Sequence, residues 1–85
     1  MVYDVKFSPA ADRALSKLDL QDQRRIIRRV EDLAVNPRPP GVKKLAGPAA
    51  LWRIRVGDYR VIYQIKDEVL LVLVVNVGHR GDVYR

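Results

Sequence analysis

The segment WRIRVGDYRVIY, from Trp52 to Tyr63, constrains this chain more than any other stretch. Apolar residues recur at every second position on both sides of Gly57-Asp58, the mark of strands with one buried face. A glycine leading a two-residue loop suits a type II′ hairpin turn. Such a turn sets Val56 opposite Tyr59, Arg55 opposite Arg60 and Ile54 opposite Val61. Trp52, Ile54, Val56, Tyr59, Val61, Tyr63 and Ile65 then share one apolar face, which needs cover. Arg53, Arg55 and Arg60 share the other.

The cover is legible upstream. Tyr3, Val5 and Phe7 alternate with Val2, Asp4 and Lys6 as a first strand. Ser8-Pro9 reads as a helix N-cap followed by proline at the first helical position. Ala11, Ala14, Leu15 and Leu18 follow at helical spacing, so a short helix ends near Lys17 or Leu18. Asp19 can cap a second helix. On it Leu20, Gln23, Ile27, Val30 and Ala34 track one face, with Ile26 and Leu33 beside them, and Asn36-Pro37 stops it. The stretch NPRPPGVKKLAGPAA holds four of the five prolines and two of the five glycines, and is read as a linker without regular structure. Three strands remain, roughly 51–56, 59–66 and 69–77, with Asp67-Glu68 in a turn. The expected order is β-α-α-β-β-β in one α+β domain, residues 1–85, with two helices on one face of a largely antiparallel sheet.

Composition narrows the class. The 85 residues carry a net charge of +6, which favours an anionic partner: nucleic acid, an acidic protein or a membrane surface. There is no cysteine, hence no disulfide and no thiolate zinc site. The charged N-terminus is not a signal peptide. The longest apolar run, VLLVLVVNV, is too short for a membrane-spanning helix and suits a strand buried on both faces. A cytoplasmic protein is expected.

Arg55 opposite Arg60 is unfavourable for folding alone, because like charges facing each other destabilise a sheet. A shared anion would turn that repulsion into binding, and guanidinium suits phosphate through two parallel hydrogen bonds. The competing reading is a solvated face, with arginines splayed apart or neutralised by Asp58, Asp67 or Glu68. The ending GHRGDVYR adds His79, whose ordinary pKa lies near neutrality, together with Arg80 and Tyr84. The acids are scattered, and neither a phosphate-binding glycine loop, nor HExxH, nor a nucleophilic serine elbow is present. Phosphodiester cleavage, if it occurs, is expected without metal or other cofactor.

The pair GDYRVIY and GHRGDVYR, with KKLAG before the hairpin, resembles the RelE/ParE superfamily of toxins from type II toxin–antitoxin systems, and most of all its RelE-like branch. The resemblance covers nearly the whole chain. It implies a metal-independent endoribonuclease that cleaves messenger RNA in the ribosomal A site and inhibits translation. In this picture the catalytic group is Arg60, His79, Arg80 and Tyr84. Arg53 and Arg55, with Lys43 and Lys44, hold the RNA. Well-studied RelE toxins tend to have lysines where this chain has Arg53 and Arg55. Arginine does not give up its proton, so His79 becomes the acid/base candidate. Many relatives continue into a C-terminal helix, so inhibition by displacing one is not expected of a sequence ending at Arg85.

The resemblance also implies a cognate antitoxin, RelB-like or a similar small protein. Two surfaces suit it: the stripe Arg24, Arg25, Arg28 and Arg29 on the second helix, and the arginine face itself. Such a complex is expected to weaken with salt. The alternatives are a ParE-like DNA gyrase inhibitor and a non-catalytic basic RNA-binding module of the same fold.

Overall fold

A computed structural model of the chain describes residues 2–79. Its elements are β1 (Asp4–Phe7), α1 (Pro9–Ser16), α2 (Leu20–Val35), β2 (Lys43–Lys44), β3 (Leu51–Val56), β4 (Tyr59–Lys66), a single 3-10 turn (Asp67–Val69) and β5 (Leu71–His79). The five strands form one sheet in the order β1-β5-β4-β3-β2. All neighbours are antiparallel except β1 and β5, the first and last strands in sequence, which run parallel. The expected α+β architecture is the observed one.

Each helix begins on the capping residue expected for it. Ser8 Oγ accepts from the Ala11 N–H at 3.1 Å and donates to the Val75 carbonyl at 3.0 Å, so one hydroxyl caps α1 and clips it to β5. Asp19 Oδ1 accepts from the Asp22 N–H at 2.9 Å and starts α2. Both helices pack on the same side of the sheet. Ile26, Val30 and Leu33 of α2 meet Ala11 and Leu15 of α1 and Ile54, Val56, Val61, Tyr63, Val72, Val74 and Val77 of the sheet in one core. The buried stripe of α2 is therefore centred beside the expected one. Leu20 is 65% exposed and Ile27 sits at the solvent margin, because positions 26, 30 and 33 are the ones that face the sheet.

Two further readings are corrected. The proline-rich segment is not wholly irregular: Lys43 and Lys44 pair with Arg53 and Trp52 as the short edge strand β2. Outward amides of β3 otherwise lack partners, and that demand overrides the local breakers. The last strand starts two residues late. Asp67–Val69 closes a turn with Leu70 in the left-handed region at φ 51°, and β5 begins at Leu71. Tyr63 is the largest fully buried side chain, and its hydroxyl donates to the Pro37 carbonyl at 2.7 Å. Burial pushes this phenol up to about 12, against the opposing pull of Arg38 and Arg29. Among the described residues no helix is long and apolar enough to cross a membrane.

Candidate anion-binding face

The hairpin adopts the register that its turn dictates: Val56 with Tyr59, Arg55 with Arg60, Ile54 with Val61. Gly57 has φ 61° while Asp58 stays at negative φ, the type II′ signature. The positive φ is what favours glycine; a Cβ there would lie 2.8 Å from the Arg25 guanidinium, the end of an exposed side chain that can move aside. In a two-residue hairpin the flanking pair is hydrogen-bonded, so Arg55 and Arg60 form the closer, non-hydrogen-bonded pair. Their side chains leave the face that the helices do not cover.

Arg53, Arg55 and Arg60 have no carboxylate within ion-pairing distance among the described residues. The two ion pairs found there are Arg25–Asp22 at 3.9 Å and Arg38–Asp67 at 2.9 Å. Asp67 is thus committed elsewhere. It takes both Arg38 nitrogens and the Tyr3 hydroxyl at 2.6 Å, and the Arg38 hydrogen bond holds its carboxyl below the usual range. Neutralisation of the arginine face by Asp58, Asp67 or Glu68 is not what the side chains do.

Arg60 is the most constrained of the three. It is half-buried, and its Nε is shielded from solvent with no hydrogen-bond partner among the described residues. Ile62, two residues on and on the same face, is fully buried. A desolvated donor without an acceptor costs free energy of about 1–3 kcal/mol, which folding alone does not return. An anion at this point would supply the acceptor.

The expected RNA-holding lysines separate. Lys43 pairs with Arg53 and falls on the arginine face. Lys44 falls on the opposite face, where its ammonium lies 5.7 Å from the Trp52 ring centroid and Arg38 lies 5.2 Å from the same ring. His79 ends β5 one residue beyond Gly78, the partner of Arg60. Its own partner is Tyr59, and the two rings meet edge to face at 5.4 Å. Strand alternation therefore places His79 with Tyr59 on the helix side of the sheet, the face opposite to that of Arg60. Tyr59 is itself tied to α2, donating to Asp22 Oδ2 at 2.9 Å. Arg80 and Tyr84 lie outside the described residues.

The basic stripe of α2 forms the wall of a groove. Arg24, Arg25, Arg28 and Arg29 line it with Leu20, Val56 and Gly57 around about 750 Å³. A second hollow of about 490 Å³ is lined by Arg29, Lys43, Arg53 and Arg55. Arg29 belongs to both, a junction that helical spacing cannot show. Among the described residues no three His, Cys, Asp or Glu side chains come together as a ligand set.

A half-covered sheet whose bare face carries cations without ion pairs among the described residues makes this a small α+β domain with a candidate anion site. Comparison with known proteins gives that class a family. Residues 5–84 match the family described as ParE toxin of type II toxin-antitoxin system, parDE. A putative RelE-like toxin protein of Escherichia coli is 36% identical over 88 residues, covering 99% of this chain and 92% of that protein. Toxin RelG of Mycobacterium tuberculosis is 34% identical, covering 100% and 99%. Among solved structures, the archaeal RelE–RelB complex from Pyrococcus horikoshii matches with a TM-score of 0.84 at 32% identity, over 98% of this chain and 100% of that chain. The chain belongs to the RelE/ParE superfamily of type II toxin–antitoxin toxins and is RelE-like.

Proposed function

We propose that this toxin is a metal-independent endoribonuclease that cuts messenger RNA in the ribosomal A site, acting in the cytoplasm, and that a small acidic antitoxin holds it in check. The observation that carries the reading is the Arg55–Arg60 pair, set face to face on a bare sheet surface with one guanidinium nitrogen buried and unsatisfied. Such an arrangement is costly in the free protein and favourable around a phosphate. The RNA 2′-hydroxyl attacks the adjacent phosphorus, the bond to the 5′-oxygen breaks, and a 2′,3′-cyclic phosphate and a 5′-hydroxyl result. Arg60 and Arg80 stabilise charge growing on the phosphate oxygens. Arg53, Arg55 and Lys43 hold the strand, and Tyr84 stacks on or orients the nucleotide. His79 moves the proton that arginine cannot, once the end of β5 turns it from the Tyr59 side to the face of Arg60.

The resemblance to RelE toxins also supports the antitoxin partner: a similar archaeal RelE was solved in complex with RelB. The test is cleavage on programmed ribosomes. Wild-type protein is expected to cut within the A-site codon, and Arg60→Gln to lose at least about a hundredfold in rate. Intact messages in the presence of active, correctly folded protein would sink the reading. The family match to ParE toxins favours one second reading, poisoning of DNA gyrase. Trapped cleaved DNA on addition of the protein to gyrase would establish it.

A further inference from the structure

We propose that Tyr59 is a latch on the reaction: anchored to Asp22 at the start of α2, its ring holds His79 on the helix side of the sheet and away from the arginine face. The proposal rests on the ribonuclease reading, in which His79 moves a proton beside Arg60, and deepens it by naming the residue that positions His79. Three observations carry it.

The two groups that must meet stand on opposite faces. Arg60 pairs with Gly78, and His79, the next residue along β5, pairs with Tyr59. Side chains alternate along a strand, so Arg60 leaves the bare face and His79 the covered one. At the ladder position opposite Arg60, β5 offers only a glycine. An acid/base group has to come from further along the strand, and His79 reaches that face only when the strand end turns.

Tyr59 meets His79 through its side chain. Val56 and Tyr59 flank the two-residue turn, so Tyr59 directs its backbone groups at β3. Its pairing with His79 is therefore of the non-hydrogen-bonded kind, in which side chains stand closest. The rings meet edge to face, with 5.4 Å between centroids and 88° between planes. That arrangement suits the charge distribution of aromatic rings. His79 is exposed, so burial does not fix its place.

The latch has a firm base. Tyr59 is half-buried against the core, and its hydroxyl donates to Asp22 Oδ2 at 2.9 Å across 37 residues of chain. This hydrogen bond pushes the phenol above its ordinary range, so the hydroxyl remains a donor at neutral pH. Asp22 is itself fixed. Its N–H donates to the Asp19 cap at 2.9 Å, and its other carboxylate oxygen lies 3.9 Å from Arg25. The first turn of α2 thus reaches His79 through two contacts. An edge-to-face pair shifts a two-state equilibrium by roughly two- to tenfold, which sets the size of the effect.

His79 is the only histidine in the chain, so its ring signals in a proton NMR spectrum are assigned without ambiguity. Nuclear Overhauser contacts between the Tyr59 and His79 rings are expected in the full-length wild type. Inorganic phosphate, added at fixed pH and ionic strength, probes the arginine face. It is expected to move the His79 signals at least about threefold further in Tyr59→Leu than in the wild type, because the released histidine visits the bound anion more often. On programmed ribosomes Tyr59→Leu is expected to raise kcat by roughly two- to tenfold with KM unchanged. Tyr59→Phe keeps the ring and its packing and loses only the anchor to Asp22; it is expected to fall between the two on both measures. No ring contact in the wild type, equal phosphate shifts in all three proteins, or a kcat that fails to rise in either folded variant would each overturn the proposal. The spectra need no RNA: if none of the proteins cuts messages, the ribonuclease reading falls while the phosphate shifts still decide the latch.

Discussion

Replacing Arg60 by methionine should make the protein more stable and less active at once. Methionine keeps the straight apolar stem and removes the charge. Two unit charges roughly 6–8 Å apart, at an effective dielectric between about 40 and 80, repel by about 0.5–1.5 kcal/mol. Removing Nε also removes a buried, unsatisfied donor worth about 1 kcal/mol or more. The expected gain is therefore about 1.5–2.5 kcal/mol, or a rise in Tm of roughly 6–20 °C for a domain of this size. Phosphate provides the complementary arm. At 10 mM, and with a dissociation constant of about 1 mM, inorganic phosphate should stabilise the wild type by about 1.4 kcal/mol and the R60M variant by much less. Thermal unfolding with and without phosphate measures both effects, and cleavage on programmed ribosomes measures the loss of function. Destabilisation by R60M, or equal stabilisation of both proteins by phosphate, would show that Arg60 serves the fold and not a bound anion.

Tyr63→Phe should cost about 1–3 kcal/mol by leaving the Pro37 carbonyl without its donor, read as a lower Tm with the cleavage rate per folded molecule unchanged. Asp67, held below its ordinary pKa by Arg38 and Tyr3, contributes stability that is present above about pH 4 and lost as pH falls through its lowered folded value; Asp67→Asn should flatten that acid limb of the stability curve. His79→Ala should slow cleavage by at least about a hundredfold, whereas wild-type rates would take His79 out of the mechanism.

How much of this was written in the sequence differs from element to element. The hairpin was legible in full, because a two-residue turn with glycine first leaves the flanking strands one register, and period-two alternation then assigns every side chain to a face. The helix starts were legible for a similar local reason: Ser8 and Asp19 satisfy amides only three residues away. The family likeness rested on the same kind of contiguous signal, GDYRVIY and GHRGDVYR.

What depended on distant partners was not legible. Helical spacing placed Leu20 and Ile27 with the buried residues of α2, but the angle at which α2 lies on the sheet decides which neighbouring stripe is covered, and it chose Ile26, Val30 and Leu33. Lys43 and Lys44 looked equivalent in the chain; pairing with β3 sent one to the arginine face and the other onto Trp52. Asp67 looked available to any arginine, and only packing gave it to Arg38, 29 residues away, leaving Arg53, Arg55 and Arg60 without an ion pair among the described residues. Local sequence determined which residues share a face, since strand and turn geometry act over a few bonds. Tertiary structure decided which charges are paired and which are left for a ligand, because burial and ion pairing are properties of surfaces brought together from far apart along the chain.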